Sequence, residues 1–204
     1  MEWFQLHSRE VVISGIVVVA LAAGGWFYYR SQELKAERAE KAYFTAQRSV
    51  AAGNLPLAES DLKKMIGRYE GTPAAMQARL QVAQILFDQG KYQEGLDELK
   101  AAEGKMSKSP EFGSSVHRVM ASGYEQLKKF GEAAAEYEKA STVERFDSDR
   151  QRDMAMAAMA YWSAGNKAKA KEILTELGAD SKGAVAGEAR VRLGELTATA
   201  EPQS

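Results

Sequence analysis

The 204-residue chain predicts an all-α protein: an N-terminal transmembrane helix, a solenoid of about four helical hairpins, and a C-terminal capping helix. Three observations carry this. First, Gly90 ends one amphipathic run (Leu80, Val82, Ala83, Ile85, Leu86, Phe87) and opens another (Tyr92, Leu96, Leu99, Ala102). Equivalent turns fall at Gly53, Lys128 and Gly165, at spacings of 37, 38 and 37 residues. Second, two columns of small residues hold that frame. Ala46, Ala83, Ala121 and Ala158 stand seven before the turns, and Ala58, Gly95, Ala133 and Ala170 five after them. Small side chains belong where two helices of a hairpin approach closely. Bulkier residues fill other columns, Leu62, Leu99, Tyr137 and Leu174 among them. Third, Val11–Tyr29 runs 19 residues without a charge.

The repeat frame resembles the tetratricopeptide repeat, whose period is about 34 residues. GYEQLKKFGEAAAEYEKA (Gly123–Ala140) is its most faithful half-copy, with Tyr124, Phe130, Ala133, Tyr137 and Ala140 on the expected positions. The likeness covers Ala36–Leu177. It departs in the longer period, the missing terminal proline and Lys128 in place of glycine. Such a likeness implies fold far more strongly than function.

Taken in order, 1–10 reads as a short tail and 11–29 as the anchor. As a helix the anchor spans roughly 28 Å, close to the hydrocarbon thickness of a bilayer. Trp26, Phe27, Tyr28 and Tyr29 form an aromatic band closed by Arg30, the chemistry of a membrane interface. A cleaved signal peptide is the rival, since Ala20-Leu21-Ala22 has the form of a cleavage site. Against it, the apolar run continues past Ala22 into the aromatic band. Orientation stays open: Arg30, Lys35, Arg38 and Lys41 favour a cytoplasmic domain, but long trailing domains translocate largely regardless of charge. Within the helical domain, 30–196, Leu55-Pro56, Thr72-Pro73 and Ser109-Pro110 read as helix starts. Asp147 or Ser148 is expected to cap the fourth unit, Ala184–Leu196 to cover the end of the stack, and 197–204 to fray.

Chemistry is sparse. With 27 basic and 28 acidic residues the net charge is −1, which gives no electrostatic case for nucleic acid. There is no cysteine, hence no disulfide framework or thiolate metal site. His117, among Val116, Val119 and Met120, reads as a packing or surface residue, and no catalytic, metal or cofactor motif occurs. The expectation is a protein that is no enzyme and needs no cofactor. Met154, Met156 and Met159 read as core filling or as a soft contact surface.

An anchor, an aromatic-Arg exit, a helical lead and the segment YEGTPAAMQARLQVAQILFDQGKYQ (Tyr69–Gln93) together resemble a bacterial inner-membrane family, the ancillary subunit of the SecYEG translocon. The resemblance implies a periplasmic domain and partners among the translocon and periplasmic chaperones. A cytoplasmic-facing adaptor and a cell-wall-associated enzyme or enzyme activator are the alternatives. In a stack of hairpins the first helices line a concave face. The residues expected there as partner contacts are Tyr43, Gln47, Leu80, Gln84, Phe87, Arg118, Ser122, Met159 and Trp162.

Overall fold

A computed structural model describes residues 8–198, apart from the side chains of residues 8–11 and 14. The described residues form ten helices and no strand: α1 (Ser8–Ala51), α2 (Leu55–Arg68), α3 (Pro73–Asp88), α4 (Tyr92–Lys100), α5 (Glu103–Met106), α6 (Gly113–Gln126), α7 (Phe130–Val143), α8 (Asp147–Ser163), α9 (Lys167–Ala179) and α10 (Ala186–Ala198).

Four hairpins, α1/α2, α3/α4, α6/α7 and α8/α9, fold about the four turns in the frame above. Gly53, Gly90, Lys128 and Gly165 all sit in the left-handed region, at φ of 71°, 76°, 56° and 85°. Each closes its first helix the same way. At the second turn Gly90 N–H donates to Phe87 O and Lys91 N–H to Leu86 O, both at 2.8 Å. At the third, Lys128 and Lys129 repeat the pattern onto Glu125 O and Tyr124 O. These paired bonds satisfy carbonyls that a helix end otherwise leaves without partners. Glycine takes this conformation without a Cβ penalty, whereas Lys128 bears it.

The small columns explain why the hairpins close. Ala46, Ala58, Ala83, Gly95, Ala121, Ala133, Ala158 and Ala170 are all buried. Around them the core runs as successive apolar clusters, with Leu62 and Leu86 in the first, Leu96, Leu99 and Met120 in the second, Tyr137 in the third and Leu174 in the fourth. The first helices also touch along the stack, α1 against α3 and α3 against α6. α10 covers the last hairpin, with Ala189 buried and Arg190 Nη1 donating to Gly178 O at 2.9 Å.

Two expected starts are confirmed by their caps. Asn54 Oδ1 and Thr72 Oγ1 each accept from a backbone N–H, those of Leu57 and Ala75, at 3.2 Å. Two others are corrected. Ser109-Pro110 opens a turn, in which Ser109 Oγ accepts from Glu111 N–H at 3.3 Å, and α6 begins only at Gly113. The chain first has to bury Phe112, and Gly113 then passes so close to Ser107 O that a Cβ there would lie 2.9 Å from it. Neither Asp147 nor Ser148 caps α8; the capping position is Phe146, without a side-chain bond. Helical structure also enters both expected tails, at residues 8–10 and 197–198, while 1–7 and 199–204 lie outside the described residues.

Among the described residues no helix is long and apolar enough to cross a membrane. What the structure does show is an apolar surface with nothing against it. Ile16, Val18, Leu21, Trp26, Phe27, Tyr28 and Tyr29 are all more than half exposed on α1. That same helix continues unbroken into the first hairpin.

Candidate interaction surface

The residues expected on the concave face meet three different environments. Gln84 is exposed, its amide held to Asp88 Oδ1 at 3.0 Å. Tyr43, Gln47, Leu80, Ser122, Met159 and Trp162 are half-buried. Gln47 Nε2 donates to the Tyr43 hydroxyl at 2.5 Å, one turn away on α1. The Trp162 indole carries the Lys167 ammonium 5.2 Å from a ring centroid, within cation–π range. Leu80 and Phe87 are brought together, since both pack on the second cluster. The Met expectations divide in the same way: Met154 packs on the fourth cluster, and Met156 is 42% exposed.

Phe87 is not presented to solvent. It is 6% exposed and wedged between Gly95 of α4 and Gly123 of α6. A Cβ at either glycine would stand 2.5 Å from a ring carbon of Phe87. The ring is therefore one contact between the second and third hairpins, with Leu96 beside it against Gly123. Gly123, a glycine inside a helix with ordinary φ, had no reason in the repeat frame; the ring supplies one.

Arg118 does not offer a free guanidinium. Its Nε donates to Asp153 Oδ1 at 2.7 Å, and its Nη2 to Asp153 Oδ2 at 3.1 Å and to Glu144. Asp153 is 2% exposed, so this pair joins the third hairpin to the fourth through the core. Burial pushes the Asp153 carboxyl above its ordinary range even with the guanidinium opposing it. The hydrogen bond to Asp153 in turn holds Arg118 firmly charged.

A second polar group is built around His117, where the sequence suggests a packing or surface residue. His117 Nδ1 lies 2.7 Å from Glu136 Oε2, and both side chains are buried. Lys139 Nζ donates to Glu136 Oε1 at 2.7 Å and to Glu103 Oε1 at 3.3 Å. Burial raises the Glu136 pKa, but the bonds from His117 and Lys139 outweigh it and leave it below 4.5. Its stabilising contribution is therefore complete above that value and fades as pH falls through the lowered one. Donor atoms of Glu103, His117 and Glu136 all lie within 4.8 Å of one another, a spacing that could hold a metal ion. The Lys139 ammonium already supplies the positive charge between the two carboxylates.

These pairs share a spacing that the sequence displays. Arg118 and Asp153 are 35 residues apart, Glu70 and Lys105 also 35, and Glu103 and Lys139 36. Opposite charges about one repeat apart are thus the signal that locates contacts between neighbouring hairpins.

The geometry agrees with what the chain is similar to. The tetratricopeptide repeat-like domain family matches residues 1–111 and again residues 42–153. The two matches are shifted by about one repeat, as self-similar hairpins require. A Podosopora anserina protein named for kinesin light chain, with nearly identical TPR-like repeats, superposes with a TM-score of 0.61 at 17% identity. That alignment covers 80% of this chain and 87% of the other. A tetratricopeptide repeat protein from Parabacteroides merdae gives a TM-score of 0.62 at 20% identity, over 80% of this chain and 61% of the other. At such identities the likeness carries the fold alone. No curated protein sequence matches the chain.

Proposed function

From the premise that the chain belongs to the tetratricopeptide repeat-like domain family, we propose that it is a membrane-anchored scaffold for protein partners. Stacked helical hairpins of this kind serve as extended interaction surfaces, and the family that matches is such a repeat domain. The single observation that carries the anchoring is α1. Its exposed apolar side chains, from Val12 to Tyr29, sit on the same helix that supplies the first half of the first hairpin. Apolar surface on that scale needs cover, and a bilayer covers all sides of a helix at once. The aromatic band ending at Arg30 supports an interface at that point.

The resemblance to the ancillary SecYEG subunit supports a bacterial inner-membrane location, a periplasmic domain, and the translocon with its chaperones as partners. Contact is assigned to Tyr43, Gln47, Gln84, Ser122, Met159 and Trp162, the half-buried and exposed members of the first-helix set apart from Leu80, which packs on the second cluster, and Arg118, which is held by Asp153. A photo-crosslinker placed at Gln84 or Trp162 in intact cells tests this. The expected products join the chain to translocon or chaperone subunits, and protease added to spheroplasts digests the domain. Protection of the domain from that protease would favour the cytoplasmic adaptor. Crosslinks equally abundant from the outer face, at Lys171 for example, would remove the surface assignment.

A further inference from the structure

Where α1 leaves its apolar stretch, a cavity of about 450 Å³ opens between it and the end of α2. We propose that this cavity binds the headgroup of an anionic phospholipid. The inference rests on the anchoring proposed above and adds a ligand to it.

The lining residues set the chemistry. Phe27, Arg30, Lys35 and Arg38 recur along one side of α1, while Arg68 and Tyr69 close the cavity from the end of α2. Four cations line it and no carboxylate does. Of the nearby acids, Glu33 pairs with Arg30 of the lining itself, while Glu37 pairs with Lys41 and Glu70 with Lys105, both outside it. Lys35 Nζ donates to a backbone oxygen, that of Glu70, at 2.8 Å and, among the described residues, makes no carboxylate contact within ion-pair distance. Among the described residues Arg38 makes no ion pair, and Arg68 meets only the Tyr69 ring, 5.9 Å from its centroid. Guanidinium groups in this state are built for phosphate oxygens, which they take in bidentate fashion.

Position narrows the phosphate to that of a lipid. Along a helix Arg30 lies about 2 Å past Tyr29, and Lys35 and Arg38 roughly 9 and 14 Å past it. The polar layer of a bilayer begins at the hydrocarbon edge and is about 5–8 Å deep on each side. Arg30 and Lys35 therefore flank that layer, and Arg38 and Arg68 cover it from the water side. Phe27 lies below, where it meets the start of an acyl chain. A soluble phosphate would have no use for that apolar floor.

The test uses the full chain in vesicles of phosphatidylcholine, with or without one-fifth phosphatidylglycerol. Native mass spectrometry then counts the lipid retained. Wild type is expected to retain phosphatidylglycerol well above its bulk share. Each cation near an anionic surface contributes about fivefold, so Arg38→Gln should lower retention about fivefold and Arg38→Gln with Arg68→Gln about thirtyfold. Lys41→Gln removes a charge from the same helix outside the cavity and should change little. Equal retention by wild type and the double variant overturns the site. An equal loss in Lys41→Gln overturns it in favour of general surface charge, and displacement of the lipid by inorganic phosphate overturns it in favour of a free anion. Insertion of wild type into pure phosphatidylcholine, without later enrichment of the anionic lipid, sinks this inference alone. Failure of every variant to insert sinks the anchor.

Discussion

The contact that distinguishes the junction of the second and third hairpins is a ring, and at the junction of the third and fourth it is a buried ion pair. At the first junction Phe87 fills a socket made by two glycines, Gly95 and Gly123. At the second, Arg118 reaches across to Asp153, buried on α8, with Glu144 completing the group. Both junctions bury apolar side chains, Ala121 and Tyr137 with Ala157 and Ala160 at the second, but one adds a constraint of volume and the other an electrostatic one. The ring contributes by leaving water and tolerates no added atom nearby. The ion pair gains little over an apolar filling, but losing one partner leaves a charge stranded in the core.

This difference can be tested hardest at the charged junction. Arg118→Met should destabilise the fold by about 3 kcal/mol at neutral pH, near the low end for broken buried pairs because the guanidinium side chain is 38% exposed. The sign with pH follows from Asp153. Its folded pKa already lies above 3.8, and losing Arg118 raises it further, so the deficit is largest at neutral pH and shrinks toward the unfolded value. Urea melts at neutral pH and near pH 4 measure this. A deficit that does not change with pH would mean packing, and not a stranded carboxylate, dominates. Arg118→Met combined with Asp153→Leu should recover most of the loss.

At the ring junction the expected effect is smaller and runs against helix propensity. Gly123→Ala replaces a poor helix former by the best one, which favours the variant by about 1 kcal/mol. Because the new methyl would meet the Phe87 ring, a net loss of about 1–2 kcal/mol is expected instead. In a Phe87→Leu background the loss should shrink to what Leu96, 3.0 Å from the same Cβ, still imposes. Thermal melts of the four proteins give the coupling directly, and additive effects would separate Gly123 from Phe87.

The smallest effect belongs to the third turn. Lys128→Gly removes the left-handed penalty on a lysine and loosens the unfolded chain, for a net gain of about 0.5–1 kcal/mol. A loss of stability would show that the Lys128 side chain contributes something its exposed position does not suggest.

The contrast between the junctions also marks where the sequence could be read. Hairpin closure was legible because it needs particular residues at fixed offsets: a left-handed turn at Gly90, and small residues at Ala83 and Gly95. Those demands repeat, so each copy checks the others. Contacts between hairpins obey no such column. Phe87 shares its position, three before the turn, with Val50, Glu125 and Trp162, and Asp153 shares its own with Lys41, Ala78 and Val116, so neither contact follows from a repeated column. Arg118 is expected on the contact face, yet Asp153, the carboxylate that holds it, lies 35 residues on. The start of α6 was misread because Ser109-Pro110 has local capping chemistry, while burial of Phe112 three residues later decides where the helix begins.

One consequence of α1 concerns mechanics. Beyond Gly25 the helix runs to Ala51 without another glycine or any proline, a stiff rod of about 39 Å. Its far end forms a hairpin with α2, so no swivel separates residues 26–29 from the first repeat. Whatever grips the aromatic band therefore also sets the heading of the solenoid, as a handle sets the heading of a blade. A partner pulling on the far hairpins would load that grip as a torque rather than bending a tether.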